Sequence, residues 1–153
     1  MLGEAGYGLV WGASDKGLMR VFALAAKQSG ARLTGITIPI YKSSAGTYAD
    51  EVIIAKDLYE RKSLMLERSD AFAILPGGVG SLDEATEMME LKKQGVHSKP
   101  IVFISIDEFY DGLKNQFKRM NDEGFLTRPA EEFAHFSDGP SDAMEYLNKE
   151  LGA

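Results

Sequence analysis

The chain has 153 residues, of which 44% are hydrophobic and 26% charged, and this composition predicts one globular domain over residues 1–153. The 23 acidic residues outnumber the 17 Lys and Arg and give a net charge of −6, which disfavours nucleic acid and anionic membrane surfaces as partners. No apolar run is long enough to span a membrane, the first residues lack a secretory leader, and the sequence has no cysteine, so we expect a cytoplasmic protein without disulfides or zinc–thiolate sites.

Apolar runs of strand length alternate with helical stretches along the chain, which is typical of a parallel α/β sheet. Six strands are predicted, at residues 8–11, 32–38, 51–55, 71–75, 101–105 and 133–137. Five helices are predicted between and after them, at residues 16–29, 57–69, 81–94, 107–123 and 141–151. Residues 39–50 show no clear period and predict a mobile loop.

The beginning of the chain does not match the usual order of a doubly wound sheet, which opens with a strand followed by a helix. Only seven residues precede the first predicted strand, and their pattern is that of the tail of a helix. We therefore expect either a sheet that is one strand short or a chain that starts inside a longer ancestral domain.

The strongest motif for chemistry is the glycine turn at residues 76–81, Pro-Gly-Gly-Val-Gly-Ser, between a predicted strand and a predicted helix. Glycines let a ligand approach the backbone, and the first amides of a helix attract anions, so the turn predicts an anion site. The spacing of its glycines fits neither the phosphate-binding loop of nucleoside triphosphatases nor the full dinucleotide-binding motif of dehydrogenases. A simple tight turn with Ser81 as the helix N-cap is the open alternative.

The next helix carries several carboxylates directed away from its predicted core side. Glu84 and Glu87 lie about 60° apart on the helical wheel, and Met88 and Leu91 place apolar surface beside them. Favourable acidic charge near a helix start explains the carboxylates without any function, whereas the neighbouring apolar residues indicate either a second protein face, such as that of another copy of the chain, or a ligand. The predicted core stripe is Leu82, Ala85, Thr86 and Met89.

The helix at residues 57–69 places two cations where apolar residues are expected. Arg61 and Lys62 follow Leu58 by three and four positions and therefore share its side of the helix. Two accounts are open. Long side chains can reach the surface from an apolar position, or the two cations face an anionic ligand, which Arg61 can hold in a bidentate manner.

Two further features are weaker. A second glycine turn, from Gly12 to Gly17, follows the first predicted strand and is either a wall of a ligand cleft or a plain connection between strand and helix. His97 lies just before a strand, where a loop residue is a better interpretation than a catalyst. Metal binding has no support, because no second histidine lies near it in the sequence.

Together these motifs resemble the LONELY GUY (LOG) family of cytokinin-activating phosphoribohydrolases, many of which carry the label "lysine decarboxylase-like". That family has the signature PGGxGTxxE preceded by an Arg-Lys helix, and the likeness extends from about residue 8 onward. The matching stretches are Arg61-Lys62, Ser-Asp-Ala-Phe at 69–72, Leu-Pro-Gly-Gly-Val-Gly-Ser-Leu-Asp-Glu at 75–84 and Gly-Val-His-Ser-Lys-Pro at 95–100.

The resemblance implies a Rossmann-like homodimer that cleaves a nucleoside 5′-monophosphate, such as a cytokinin riboside monophosphate or an AMP-like nucleotide, into free base and ribose 5-phosphate. It implies that Arg61 and Glu84 are the catalytic pair, that the glycine turn surrounds the phosphate and that Glu87 lies near the ribose. The substrate-binding residues that follow from it are Gly12, Lys62, Gly77, Gly78, Val79, Gly80, Ser81 and Glu87.

The sequence departs from the family pattern in several places. Ser81 replaces the usual Thr and keeps the hydroxyl, and Leu58-Tyr59 replace a common Met-His. Residues 12–14, Gly-Ala-Ser, replace a triple-glycine turn, and Arg20 replaces a glycine. The family's first strand and helix, with a Gly-Ser ligand loop, have no counterpart, which bears on activity and not on the fold.

The reaction that the resemblance implies agrees with the chemistry of these residues. Glycosidic cleavage passes through an oxocarbenium-like state that a carboxylate such as Glu84 can stabilise while it orients water. Arg61 stays protonated, so its role is to clamp phosphate or to stabilise the departing base. No cofactor is expected, because nothing marks the Schiff-base lysine that pyridoxal phosphate requires. A carrier that binds nucleotide or phosphate without catalysis is the competing hypothesis.

Overall fold

The structure is a computed structural model that describes residues 1–152, so position 153 of the predicted domain lies outside the described residues. The chain divides into two compact units, Met1–Ser69 and a second unit that begins at Asp70. Each unit contains a three-stranded sheet in which all neighbouring strands are parallel. The predicted α/β class is therefore confirmed, while a single domain over the whole chain stays a prediction.

The first unit has the strand order β1-β2-β3. Its elements are β1 (Leu9–Trp11), α1 (Gly17–Gln28), β2 (Leu33–Thr37), β3 (Glu51–Ile54) and α2 (Leu58–Arg68). Alternate residues of a strand point to opposite faces, and the two faces of this sheet carry different clusters. Trp11 and Leu33 pack with Ala23 of α1, whereas Ile36 packs with residues that include Leu64 of α2. Helices thus cover both faces of this sheet.

The second unit has the strand order β4-β5-β6. Its elements are β4 (Phe72–Ile74), α3 (Val79–Lys93), β5 (Ile101–Ile104), α4 (Asp111–Asp122), β6 (His135–Ser137) and α5 (Pro140–Leu151). Val102 of β5 packs with Leu147 of α5, while on the other face Phe136 stacks with Phe103 at 4.8 Å between ring centroids and meets Phe117 of α4 at 6.2 Å. This is the layering of a doubly wound, Rossmann-like unit, as predicted.

All six predicted strands are present within a few residues of their expected ends, but three other predictions need correction. The helix predicted at 107–123 begins only at Asp111, because Asp107 and Glu108 have φ values of 50° and 60° and interrupt it. The loop predicted at 39–50 contains a 3₁₀ helix, Pro39–Ser44. The residues before β1 form hydrogen-bonded turns, in which the Ala5 amide donates to the Met1 carbonyl.

Among the described residues, no helix is long and apolar enough to cross a membrane.

Candidate functional site

The glycine turn after β4 leads directly into α3, which begins at Val79 with Gly78 as its N-cap. The alternative with Ser81 as N-cap is therefore wrong, since Ser81 is the third residue of the helix. The amides of Ser81 and Leu82 both donate to the Gly78 carbonyl, at 3.1 and 3.2 Å. The amides of Val79 and Gly80, at the first two helical positions, have no carbonyl one turn earlier in the helix to which they could donate.

The glycines of this turn differ in the space around them. A Cβ on Gly77 would overlap the hydroxyl of Ser81, which folds back over the turn. A Cβ on Gly78 or on Gly80 would meet no atom of the described residues within 4 Å. Gly77 is therefore required by the packing of the protein itself, whereas Gly78 and Gly80 leave open space beside the start of a helix.

The acidic side chains of α3 follow this start. Glu84 and Glu87 are half-buried, and Asp83 between the turn and Glu84 is exposed. Glu84 lies about 8 Å along the helix axis from Val79, and side chains of a helix point back toward its N-terminus. The helix therefore presents outward amides at its first turn and a half-buried carboxylate just beyond it.

The core stripe of α3 is shifted from the predicted one. The buried residues are Ala85, Met88 and Met89, at positions i, i+3 and i+4, while Thr86 is exposed and its hydroxyl donates to the Leu82 carbonyl at 2.7 Å. Met88 is only 4% exposed. The second apolar face predicted from Met88 and Leu91 is therefore wrong for Met88, which the chain itself covers.

Arg61 is held at the carboxyl end of the sheet in the first unit. Its helix starts at a firm cap, because the Asp57 side chain accepts from the Glu60 amide at 2.8 Å and the Glu60 carboxylate accepts from the Lys56 amide at 2.5 Å. The Arg61 Nε donates to the Ile36 carbonyl of β2 at 3.1 Å, and its guanidinium fills the space where a Cβ on Gly12 would lie.

Lys62 has different surroundings. Its Nζ lies 5.9 Å from the ring centroid of Tyr59, a side chain that is 80% exposed. This is cation–π geometry at the surface. The two cations that are adjacent in sequence therefore have different surroundings: Arg61 is hydrogen-bonded to the sheet, and Lys62 lies beside an exposed ring.

The turn after β1 is closed by the chain around it. The Asp15 amide donates to the Ser44 carbonyl and the Gly46 amide to the Ala13 carbonyl, both at 2.9 Å. Ala13 has a φ of 61° and is 1% exposed, so this turn keeps a buried non-glycine residue in the left-handed conformation. Gly12 makes room for the guanidinium of Arg61, and a contact between Gly12 and substrate stays a prediction.

His97 joins the loop after α3 to that helix. Its Nδ1 accepts from the Lys99 amide at 3.1 Å, which leaves Nε2 to donate to the Met88 carbonyl at 2.9 Å in a neutral ring. Burial lowers the pKa of His97 below its ordinary value, and the Met88 carbonyl opposes part of that change. These contacts give His97 a structural role. Within residues 1–152 no three His, Asp or Glu side chains gather as a candidate metal site.

Tyr110 is a residue that sequence reasoning missed. Its hydroxyl donates to the Leu75 carbonyl, at the start of the glycine turn, over 2.6 Å. The sequence places Tyr110 inside a predicted helix, and its partner lies 35 positions earlier. No local pattern marks such a pair, because helical periodicity reports only neighbours three or four positions apart.

The chain is similar to proteins of one known family. A family model described as "Possible lysine decarboxylase" matches residues 19–147. The cytokinin riboside 5′-monophosphate phosphoribohydrolase of Mycobacterium tuberculosis (strain ATCC 25618 / H37Rv) is 37% identical over 142 residues, which are 91% of this chain and 75% of that protein. Its counterpart in Mycobacterium marinum (strain ATCC BAA-535 / M) is 34% identical over 143 residues, 92% of this chain and 76% of that protein.

A plant protein is similar as well. A probable cytokinin riboside 5′-monophosphate phosphoribohydrolase of Oryza sativa subsp. japonica is 36% identical over 124 residues, which are 79% of this chain and 55% of that protein. The match therefore spans about three quarters of the mycobacterial relatives and about half of the rice relative. The chain belongs to the family described as possible lysine decarboxylases, which is the LONELY GUY family that its motifs resemble.

Proposed function

We propose that the chain hydrolyses the N-glycosidic bond of a nucleoside 5′-monophosphate and releases free base and ribose 5-phosphate. The observation that carries this proposal is the open glycine turn at the start of α3, in a chain whose relatives are named phosphoribohydrolases. The expected substrates are a cytokinin riboside 5′-monophosphate or an AMP-like nucleotide. The words "lysine decarboxylase" name the family and do not describe the proposed reaction, which needs no pyridoxal phosphate.

The phosphate end of the substrate is assigned to the turn. The open space beside Gly78 and Gly80 lets an anion reach the helix start, where the outward amides of Val79 and Gly80 and the helix dipole favour negative charge. The Ser81 hydroxyl, which packs over Gly77, lies at the same place and can donate to a phosphate oxygen. This supports the residues from Gly77 to Ser81 as the phosphate cradle.

The glycosidic bond is assigned to the carboxylates that follow. As the bond between C1′ and the base nitrogen breaks, its electron pair leaves with the base and positive charge develops on the sugar. The water oxygen bonds to C1′, and one water proton is transferred to the base. The Glu84 carboxylate would stabilise the positive charge and orient the water, while Glu87, one turn further on, would contact the ribose.

Arg61 and Lys62 supply the positive charge of this chemistry. The bond from Arg61 Nε to Ile36 holds the guanidinium in place, and we assign this cation to a phosphate oxygen or to the departing base. Lys62, beside the Tyr59 ring, would act as a second cation. Gly12 contributes by making room for the guanidinium.

The experiment is a panel of nucleoside 5′-monophosphates, each incubated with the chain and analysed for ribose 5-phosphate and free base. We expect equimolar release of both products from at least one purine nucleotide. The matching nucleosides without phosphate should bind far more weakly in calorimetry, because they lose the charge-assisted hydrogen bonds. Binding of nucleotides without any product would instead support the carrier hypothesis, and equal affinity for nucleosides would contradict the phosphate cradle.

We also propose a homodimer and a cytoplasmic location. The homodimer is supported by the family resemblance and no longer by Met88, which the chain buries. Light scattering at micromolar concentration should return about twice 16.8 kDa, and a value of one chain mass would contradict it. The cytoplasmic location is supported by the absence of cysteine from the sequence.

A further inference from the structure

Tyr110 reaches across the second unit to the glycine turn. Its hydroxyl donates to the Leu75 carbonyl at 2.6 Å, a short distance for a neutral O–H donor, and Leu75 immediately precedes Pro76. The side chain is only 3% exposed. Its ring meets the edges of two aromatic neighbours, Phe103 at 5.1 Å and Phe109 at 4.9 Å between centroids, so the phenol is held rigidly.

The Leu75 carbonyl is part of the packing inside the turn. A Cβ on Gly77 would lie 3.5 Å from that oxygen, on one side, and would overlap Ser81 on the other. Burial raises the pKa of the Tyr110 phenol. A hydrogen bond between the Gly77 backbone and the phenol oxygen of Tyr110 opposes part of this change. The turn is therefore contacted by two side chains, by Ser81 of α3 at Gly77 and by Tyr110 at Leu75 and Gly77.

The segment that delivers Tyr110 has an unusual backbone. Asp107 and Glu108 are consecutive non-glycine residues with φ of 50° and 60°, a left-handed conformation that is unfavourable for side chains of this kind. The Ser105 hydroxyl oxygen then accepts from the Tyr110 amide at 3.0 Å. Such strain persists only where surrounding contacts determine the backbone, and here those contacts converge on Tyr110.

We propose that Tyr110 is a positioning residue for the phosphate-binding turn, which it holds through the Leu75 carbonyl in the conformation that keeps Gly78 and Gly80 open. That the turn binds phosphate rests on the proposed function, whereas the effect of Tyr110 on the conformation of the turn does not. Tyr110 is not a catalytic residue, because its hydroxyl is occupied by the backbone of the turn.

The test compares Tyr110→Phe with Tyr146→Phe. Each variant loses one half-buried or buried phenol hydroxyl in the same unit, and the Tyr146 ring stacks on His135 at 4.5 Å between centroids. The first measurement needs no ligand: hydrogen exchange at the amides of Ser81 and Leu82, which close the first turn of α3 on Gly78. We expect exchange about tenfold faster in Tyr110→Phe and unchanged in Tyr146→Phe.

The second measurement is the kinetics of the nucleotide that the product panel identifies. Tyr110→Phe should raise KM about tenfold while kcat changes less than about twofold, since a loosened cradle weakens phosphate binding in ground and transition state alike. Unchanged exchange at Ser81 and Leu82 would overturn the proposal. Faster exchange in a chain that hydrolyses no nucleotide would uphold the positioning role and contradict the proposed function, so the two failures are distinct.

A measurement on the unaltered chain covers the case in which Tyr110→Phe does not fold. A buried, hydrogen-bonded hydroxyl proton exchanges slowly enough with water to be resolved by NMR. We expect such a proton for Tyr110, with a nuclear Overhauser contact to residues 75–77. Its absence would also overturn the proposal.

Discussion

Gly12 and Gly78, which belong to the two glycine turns of this chain, differ in what occupies the space beside them. In the turn after β1, the space beside Gly12 holds the guanidinium of Arg61, and neighbouring backbone amides close the loop. In the turn after β4, Gly77 makes room for Ser81, but the space beside Gly78 and Gly80 meets no atom of residues 1–152.

This contrast separates two uses of glycine that look alike in a sequence. A glycine whose missing Cβ is replaced by another side chain serves internal packing, as Gly12 serves Arg61. Gly78 and Gly80, with open space at the start of α3, let something outside the chain approach the backbone. We assign ligand contact to this second turn because it also carries the signature of the family, which the open Gly17 and Gly112 do not share. To Gly12, in the first turn, we assign the fixing of a cation.

The largest expected effect is that of Glu84→Gln, on the helix that follows the open turn. If this turn binds the phosphate, the charge of Glu84 acts mainly in the transition state, so kcat should fall by about 10²-fold or more with little change in nucleotide affinity. Rates of ribose 5-phosphate release and calorimetric titration measure the two quantities.

Glu90→Gln is the matched control on the same helix, where Glu90 is exposed and paired with Lys93. It should keep the rate of the unaltered chain. A Glu84→Gln variant with an undiminished rate would remove Glu84 from the mechanism and direct the same test to Asp83 and Glu87.

Gly12→Ala tests the closed turn. The added methyl group would overlap the Arg61 guanidinium, so the cation must move and its hydrogen bonds are disturbed. We expect kcat/KM to fall about 10- to 100-fold, in the direction of Arg61→Ala, because a charge-assisted hydrogen bond contributes about 1.5–3 kcal/mol. Gly112→Ala, whose Cβ meets no described atom within 4 Å, is the control. A Gly12→Ala chain with full activity would show that the position of the Arg61 guanidinium does not limit the reaction.

The pair Gly77→Ala and Gly80→Ala sharpens the contrast within one turn. Gly77→Ala should lower the free energy of unfolding by about 1–3 kcal/mol, because its methyl group overlaps Ser81. Gly80→Ala should leave stability equal or slightly higher, since alanine is the better helix former, yet weaken nucleotide binding about tenfold by filling the open space. Urea unfolding and calorimetry measure the two effects. Equal nucleotide affinity in Gly80→Ala would mean that the open space is not used.

The smallest expected effect concerns His97, at the opposite end of α3 from the open turn. Because burial lowers its pKa below 6.5 in the folded chain, its stabilising contribution is complete above about pH 6.5 and is lost as the pH falls below that value. The unfolding free energy should therefore decrease more between about pH 7.5 and pH 5.5 in the unaltered chain than in His97→Gln. Parallel decreases would show that protonation of His97 is not coupled to folding.

The sequence predicted those parts of the fold whose signals are local. Each strand is a short apolar run, a pattern that can be recognised without knowledge of its tertiary contacts, so all six were predicted. The start of α3 was placed two residues late, because Val79 and Gly80 read as part of a turn although they form the first helical turn. The helix at 107–123 was placed too early, because nothing in Asp107 and Glu108 reveals a left-handed backbone.

The candidate site shows the same limit. The glycine turn and its carboxylates are contiguous in sequence, so both could be recognised there. The anomaly of Arg61 was visible as a cation on an apolar side, but its partners Ile36 and Gly12 lie far away in sequence. Tyr110 gave no signal at all, because its hydroxyl contacts the backbone of a residue 35 positions earlier in the chain.

The hydrogen bond between Leu75 and Tyr110 also has a consequence for the order of folding. It closes a loop of 35 residues, and the pairing of β5 with β4 brings the two ends of this loop together. During synthesis the glycine turn leaves the ribosome long before its brace, so a nascent chain that ends before residue 110 carries an unsupported turn. Nucleotide binding would then arise only after the second unit has assembled, which makes it a reporter of complete folding.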